Sequence, residues 1–295
     1  MLEALAWLAR SLPAGSPGLA GPGASLLEAL AWLARSLPPI WYTIFQHVRP
    51  PSATWEVARM THPCLLAERS PHGFRRLLLA CPQRHNPLDA ALAHALRNAF
   101  AEEPGEPVVL GSTDAQVFCA GADLSIGDAE RAEVSALLYE CLEIMITRPG
   151  PVIAAVGGPA VAGGAQLATA ADLRIAGPAA RFRWVGPPGR DLAVGAWVLP
   201  DLVGRGRAAE LAMTGRWLDA AEALALGLVN RVVSDPLAAA EELAADLAAG
   251  SPGSLARVKT ITASGGLLDR LHAEQEANRA AWAQALAPDP GGPPS

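Results

Sequence analysis

Two glycine-centred turns carry the residues best suited to chemistry. The first, Phe118-Cys119-Ala120-Gly121-Ala122-Asp123, follows the strand-like run VVLGS; the second, GPAVAGGA over 158–165, joins the apolar run PVIAAV to a helix. Glycine at a helix entrance lets a ligand approach the backbone, and first-turn N–H groups point outward with the helix dipole behind them. Two such N–H groups converging on one carbonyl oxygen would stabilise the negative charge that develops there. Removing one donor from such a site costs about 2.7–4 kcal/mol of barrier lowering. Either turn alone is explained as well by packing. His62, His72, His85, His94 and His272 show no metal-ligand spacing, so no metal is expected.

The turns need a scaffold, and the pattern after Met60 supplies one. Strand-like runs cover 63–69, 74–80 and 107–112, with a helix over 88–103. An amphipathic helix over 128–147 stops before Pro149 and Pro151. A buried strand at 151–156, a helix at 163–171 and a strand at 173–176 follow. Helices over 206–214, 219–226, 236–249 and 252 to about 286 complete the chain. Strands and helices alternate early and helices gather late, which predicts an α/β core at 60–250, a helical C-terminal region at 251–288 and a tail at 289–295. The uncharged stretch 152–171 is long enough to span a membrane, but its five glycines and prolines favour strand, turn and helix.

Residues 1–59 read differently. Leu2–Pro13 and Leu27–Pro38 are the same twelve residues, LEALAWLARSLP, separated by a Gly/Pro/Ser-rich hinge. Each copy predicts a short apolar helix with one polar stripe. Three readings compete: a docking peptide for a partner groove, a surface membrane anchor, or an appendage that is not native, with the protein starting at Met60. The anchor lacks the usual Lys/Arg excess, and no basic segment of a secretory signal precedes the apolar stretch.

With 51% hydrophobic and 18% charged residues among 295, the chain can fill a large core. A net charge of −6 argues against a nucleic-acid partner. It leaves room for a phosphorylated ligand held by helix N-termini and a few arginines. Lys259 is the only lysine, beside 22 arginines. Cys64, Cys81, Cys119 and Cys141 form no CxxC pair, and reduced thiols in a cytoplasmic protein are expected.

The succession FCAGAD, PVIAAVGGPAVAGGAQLA, ADLRIAG and VGRGRAAELAMTGRWLDAAEALALGLVNRVV resembles the crotonase (enoyl-CoA hydratase/isomerase) superfamily. Asn86–Leu88 and the segment around Lys259 add landmarks, and the likeness spans about 62–265. The resemblance implies a spiral of ββα units, a trimeric or hexameric assembly, and an acyl thioester of CoA or of a carrier-protein phosphopantetheine, with no further cofactor. It places the oxyanion donors on the backbone N–H groups of Ala122 and Gly163. It also places the pantetheine along Ala120, Gly121, Ala122, Asp123 and Leu124, and the phosphates near Arg84 or His85.

Two departures bear on the reaction. Hydratases of the superfamily carry glutamates where this chain has Gln166 and Gly186. Activating water and protonating the α-carbon needs two carboxylates, so ordinary hydration is not expected. Isomerisation, dehydration, decarboxylation and hydrolysis remain. The resemblance offers Tyr139 and Asp191 as substitute acid–base groups, against Tyr139 being a core aromatic and Glu140 and Glu143 being solvated. The C-terminal EANRAAWAQALAPDPGGPPS also departs from the superfamily's usual ending. A silent acyl-CoA-binding protein or an accessory scaffold is the alternative to an enzyme.

Overall fold

The computed structural model describes residues 55–57 and 62–287, within the compact unit Thr54–Ser295. The duplicated segments, for which short helices were expected, Met60 and the tail lie outside the described residues.

Seven strands form the main sheet in the order β1-β2-β3-β5-β7-β9-β12. They are β1 (Glu56–Val57), β2 (Leu65–Arg69), β3 (Arg75–Leu79), β5 (Val108–Ser112), β7 (Val152–Val156), β9 (Leu173–Ala176) and β12 (Arg231–Val232). The first two pairings are antiparallel and the remaining four parallel. Alternation along the strands gives the sheet two buried faces. Val109, Ile153, Ala155 and Ile175 pack on Ala240, Ala244 and Ala245 of α7 (Pro236–Ala248). Val108, Leu110, Val152, Ala154 and Val156 face the larger core, with α1 (Ala90–Ala101) and α2 (Asp128–Thr147).

Short strands build a second layer where the glycine turns lie. β4 (Pro87–Leu88) pairs with β6 (Gly121–Ala122), and β8 (Pro159–Val161) pairs with β10 (Arg181–Arg183), which pairs with β11 (Leu218–Asp219). A bridge from Cys119 to Ala160 joins the two groups. Then come α3 (Gly163–Ala170), α4 (Leu199–Val203), α5 (Arg205–Thr214), α6 (Ala220–Ala225), α8 (Pro252–Thr262) and α9 (Leu267–Leu286).

The expected run from 252 to about 286 is two helices. Gly265 and Gly266, at φ 88° and 85°, take a left-handed turn that an L side chain would resist, and α9 starts anew after it. The core begins earlier than Met60, because β1 pairs with β2 and Trp55 packs edge-on against Phe74 and under the Arg76 guanidinium.

The expectation of four reduced thiols is corrected. Cys64 and Cys81 form a disulfide with a Cα–Cα distance of 5.0 Å, while Cys119 and Cys141 are free and buried. The two partners lie 17 residues apart at the end of a β2–β3 hairpin, so only the strand register brings them together. The stretch 152–171 folds as β7, β8 and α3, and among the described residues no helix is long and apolar enough to cross a membrane.

Candidate active site

Asn86 ties the first glycine turn to the sheet. Fully buried, it accepts from the Cys81 N–H at 2.8 Å and donates to Ser112 Oγ at 3.0 Å and the Phe118 carbonyl at 2.8 Å. The next residues pair β4 with β6, where the Asp123 N–H donates to the Leu88 carbonyl. Successive N–H groups of a strand alternate in direction, so that of Ala122 points away from β4.

The second turn is locked onto the first. Cys119 N–H donates to Pro159 O at 3.1 Å and Val161 N–H to Cys119 O at 2.9 Å. Gly121 has a φ of 84°, and a Cβ there would lie 2.8 Å from the Val161 carbonyl oxygen and 3.1 Å from the Gly163 nitrogen. Only glycine lets these two backbones approach so closely. Gly163 is the first residue of α3, so its N–H has no carbonyl one turn earlier to bond. Ala162 before it pays for the geometry, at φ 49° and ψ −118°.

Both turns open on a cavity of about 410 Å³. Ala120, Ala122, Leu124 and Gly163 line it, with Leu138, Leu192, Val194 and Trp282 among its apolar walls. Gln166 and Gly186, the positions without glutamate, line it too, as does Tyr139. Asp191 is exposed and outside the lining. Asp123 is buried and turned to Arg84 and Ser125; Arg84 and His85 are exposed and lie outside the lining. The carboxyl of Asp123 is held below its ordinary range by the Ser125 hydroxyl and N–H, and then by Arg84.

Behind the cavity wall lies a group that sequence reasoning missed. Tyr139, 2% exposed, donates its hydroxyl hydrogen to Glu274 Oε1 at 2.8 Å. Glu274 also accepts from the N–H groups of Gly195 and Trp197, each at 3.0 Å. Asn278 donates to the Tyr139 oxygen at 2.8 Å. Gln166 in turn accepts from Trp197 Nε1 at 3.0 Å. Burial pushes the Glu274 carboxyl up, against the pull of its four donors, the Ala196 N–H included. Burial, and then the Glu274 charge, pushes the Tyr139 hydroxyl far up, so it holds its proton.

The spacing 271, 274, 278, 282 on α9 was the available signal. Leu271, Glu274, Asn278 and Trp282 are its buried residues, and two polar members in a buried stripe mark a site rather than solvation. Cys119 contributes no nucleophile, since burial pushes its thiol up to about 12. Among the described residues no cluster of three metal-ligating side chains occurs.

Two interlocked glycine turns over a cavity, built on this sheet, agree with one further observation: residues 71–287 match the profile of the enoyl-CoA hydratase/isomerase family. The chain belongs to that family. It is 35% identical over 214 residues, 69% of this chain and 85% of the relative, to a protein of Mycobacterium leprae named a probable enoyl-CoA hydratase. A probable enoyl-CoA hydratase of Mycobacterium tuberculosis is 40% identical over 205 residues, 64% of this chain and 78% of the relative. Among solved structures, an enoyl-CoA hydratase/isomerase from Xanthobacter autotrophicus superposes with a TM-score of 0.66 at 28% identity, covering 75% of this chain and 88% of that one. The crotonase fold expected from the sequence is the fold observed.

Proposed function

We propose that this protein is an enzyme that binds an acyl-CoA, or a carrier-bound acyl thioester, and stabilises a thioester oxyanion between the N–H groups of Ala122 and Gly163. The carrying observation is the approach of the two turns, with a Gly121 Cβ position 3.1 Å from the Gly163 nitrogen. Charge that develops on the thioester oxygen meets two fixed donors in a half-enclosed site, where they act more strongly than in water. Family membership supports the acyl-CoA substrate. The pantetheine runs along Ala120–Leu124, and no other cofactor enters this reading.

Water is not added across a double bond here. Gln166 cannot exchange a proton near neutral pH, and Gly186 has no side chain. Tyr139 lines the site with its proton held against Glu274. By analogy with the superfamily the protein assembles as a homotrimer or hexamer. A panel of acyl-CoAs followed by mass spectrometry tests the reading. Turnover of a thioester supports it, and binding without turnover of any member would favour a silent acyl-CoA-binding protein.

A further inference from the structure

We infer that the Cys64–Cys81 disulfide is a redox-modification site: a dithiol opens it by exchange at Cys64, and its opening frees the turn that mounts the first glycine loop. The effect on a thioester rests on the oxyanion reading above; the modification itself does not.

Cys81 is the foundation of that turn. Its N–H donates to Asn86 Oδ1 at 2.8 Å, and its carbonyl accepts from the N–H groups of Arg84 at 3.1 Å and Asn86 at 3.0 Å. The turn it holds is strained. His85 and Asn86, consecutive L residues, both stand in the left-handed region, at φ 63° and 50°. Such a pair persists only while its surroundings fix it. From there the bonds run to the glycine turn. Ala120 N–H donates to the His85 carbonyl at 2.9 Å, Asn86 Nδ2 to the Phe118 carbonyl at 2.8 Å, and the Cys119 thiol to the Asn86 carbonyl at 3.2 Å. Arg84 adds its ion pair with Asp123. Residues 84–86 therefore bond to the chain on both sides of Ala122, and Cys81 carries residues 84–86.

The bond is placed to be opened in the folded protein. Cys64 is half-buried next to the exposed Pro63, and the turn after Cys81 is exposed at Gln83, Arg84 and His85. Cys81 itself is buried, so Cys64 is the partner an incoming thiolate reaches. The hairpin does not depend on the crosslink: β2 and β3 pair along their whole length, and Leu65, Leu77 and Leu79 of the two strands are fully buried. A bond between residues only 17 apart also constrains the unfolded chain less than one that closes a long loop. The free thiols offer no alternative site, since Cys119 and Cys141 are buried and burial pushes both up to about 12.

Exchange proceeds in two displacements. A thiolate of the dithiol attacks Cys64 Sγ, the bond between the two Sγ atoms breaks, and its electron pair leaves on Cys81, which takes a proton from solvent. The second sulfur of the dithiol, as its thiolate, then displaces Cys64 Sγ, which is protonated in turn. The dithiol becomes a cyclic disulfide, and two electrons have passed to the protein as two thiols. A small disulfide such as oxidised glutathione reverses the exchange. Without the crosslink Cys81 is fixed only through the end of β3. The left-handed turn then relaxes and the first glycine turn loses its backing, while the sheet stays paired.

The test uses the full chain, folded, either oxidised or reduced with dithiothreitol. Alkylation and mass spectrometry should find Cys64 and Cys81 labelled only after reduction, with no denaturant present, and Cys119 and Cys141 labelled in neither state. Hydrogen exchange of the peptide covering 118–124 should be about tenfold faster in the reduced chain, with the strands at 108–112 and 152–156 unchanged. Oxidised glutathione should restore the slow rate. The carbonyl stretch of bound 13C-labelled butyryl-CoA should move toward its solution value on reduction. Cys64→Ser should exchange like the reduced wild type and ignore dithiothreitol; the reversal in wild type keeps the test independent of how well that variant folds. A bond that resists dithiothreitol until urea unfolds the chain, or that opens with no change at 118–124, would overturn the inference. Faster exchange with an unmoved carbonyl would overturn the effect on the thioester. No carbonyl shift even in the oxidised chain would sink the oxyanion reading, and the exchange rates would still decide this inference.

Discussion

The hydroxyl of Tyr139 lies 2.8 Å from Glu274 Oε1, joining the helix that walls the cavity to the last helix of the described chain. Glu274 is thereby the acceptor for a side chain of α2 and for the turn before α4 at once. Glu274→Gln keeps one acceptor oxygen and brings an NH2 group among donors. The variant should lose about 1–3 kcal/mol, the cost of leaving a buried donor unpaired, measured by urea unfolding.

The same group sets a pH dependence. Its folded pKa lies above its ordinary 4.5, so between these two values the folded state holds more protons than the unfolded chain. Its contribution to stability therefore falls as pH rises through that window and is level beyond it. The difference in unfolding free energy between wild type and Tyr139→Phe, Glu274→Gln and the double variant, followed from pH 4 upward, checks this. A wild-type slope that persists unchanged in Glu274→Gln would assign it to another carboxyl.

Ala162 sits at φ 49°, a conformation that costs an L residue roughly 1–3 kcal/mol. Ala162→Gly relieves the strain and adds about 0.5–1 kcal/mol of chain entropy cost. We expect a net gain of about 1 kcal/mol, near 2–4 °C in Tm for a core of this size, by scanning calorimetry. A lower Tm would mean that the Ala162 methyl packs better than its backbone suffers.

Hydration of crotonyl-CoA should be barely above background in wild type. Gln166→Glu alone and Gly186→Glu alone should change little, because paired acid and base act as a unit. At Gly186 a Cβ would also meet the Leu192 Cβ at 3.2 Å, so that loop must yield. Robust wild-type hydration, by loss of the enoyl absorbance, would mean the acid–base groups lie elsewhere.

A chain starting at Met60 lacks β1 and Trp55. It should be less stable than one starting at Thr54 by roughly 1–2 kcal/mol, from the lost ring contact and the cation–π contact with Arg76. Equal melting temperatures would make Trp55 a surface ornament.

Much of the architecture was legible because it rests on period and punctuation. The strands at 65–69, 108–112 and 152–156 and the helix at 128–147 follow from apolar runs and flanking prolines. The two-residue strands β4, β6 and β11 were not, since each exists only through its tertiary partner. The positions of Gln166, Gly186 and Tyr139 on one cavity followed from the resemblance. The part of Glu274 did not: only its place in the stripe 271, 274, 278 and 282 separates it from Glu276, which the helix turns to solvent, and its meeting with Tyr139 depends on how α9 packs on α2. The Cys64–Cys81 pairing was hidden for the same reason, a register set by the hairpin rather than by spacing.

An oxyanion hole at this site depends on the two backbone donors, and a bound carbonyl reports on them without any turnover. Butyryl-CoA labelled with 13C at the carbonyl, bound to the protein, should show its stretch shifted to lower frequency than in water, because Ala122 and Gly163 polarise the bond. Ala122→Pro removes one donor and breaks no bond between β4 and β6, since Asp123 N–H makes that bond. In the folded variant the stretch should return most of the way toward its solution value while CoA still binds. An unchanged shift in folded Ala122→Pro would contradict the assignment of Ala122 as an oxyanion donor.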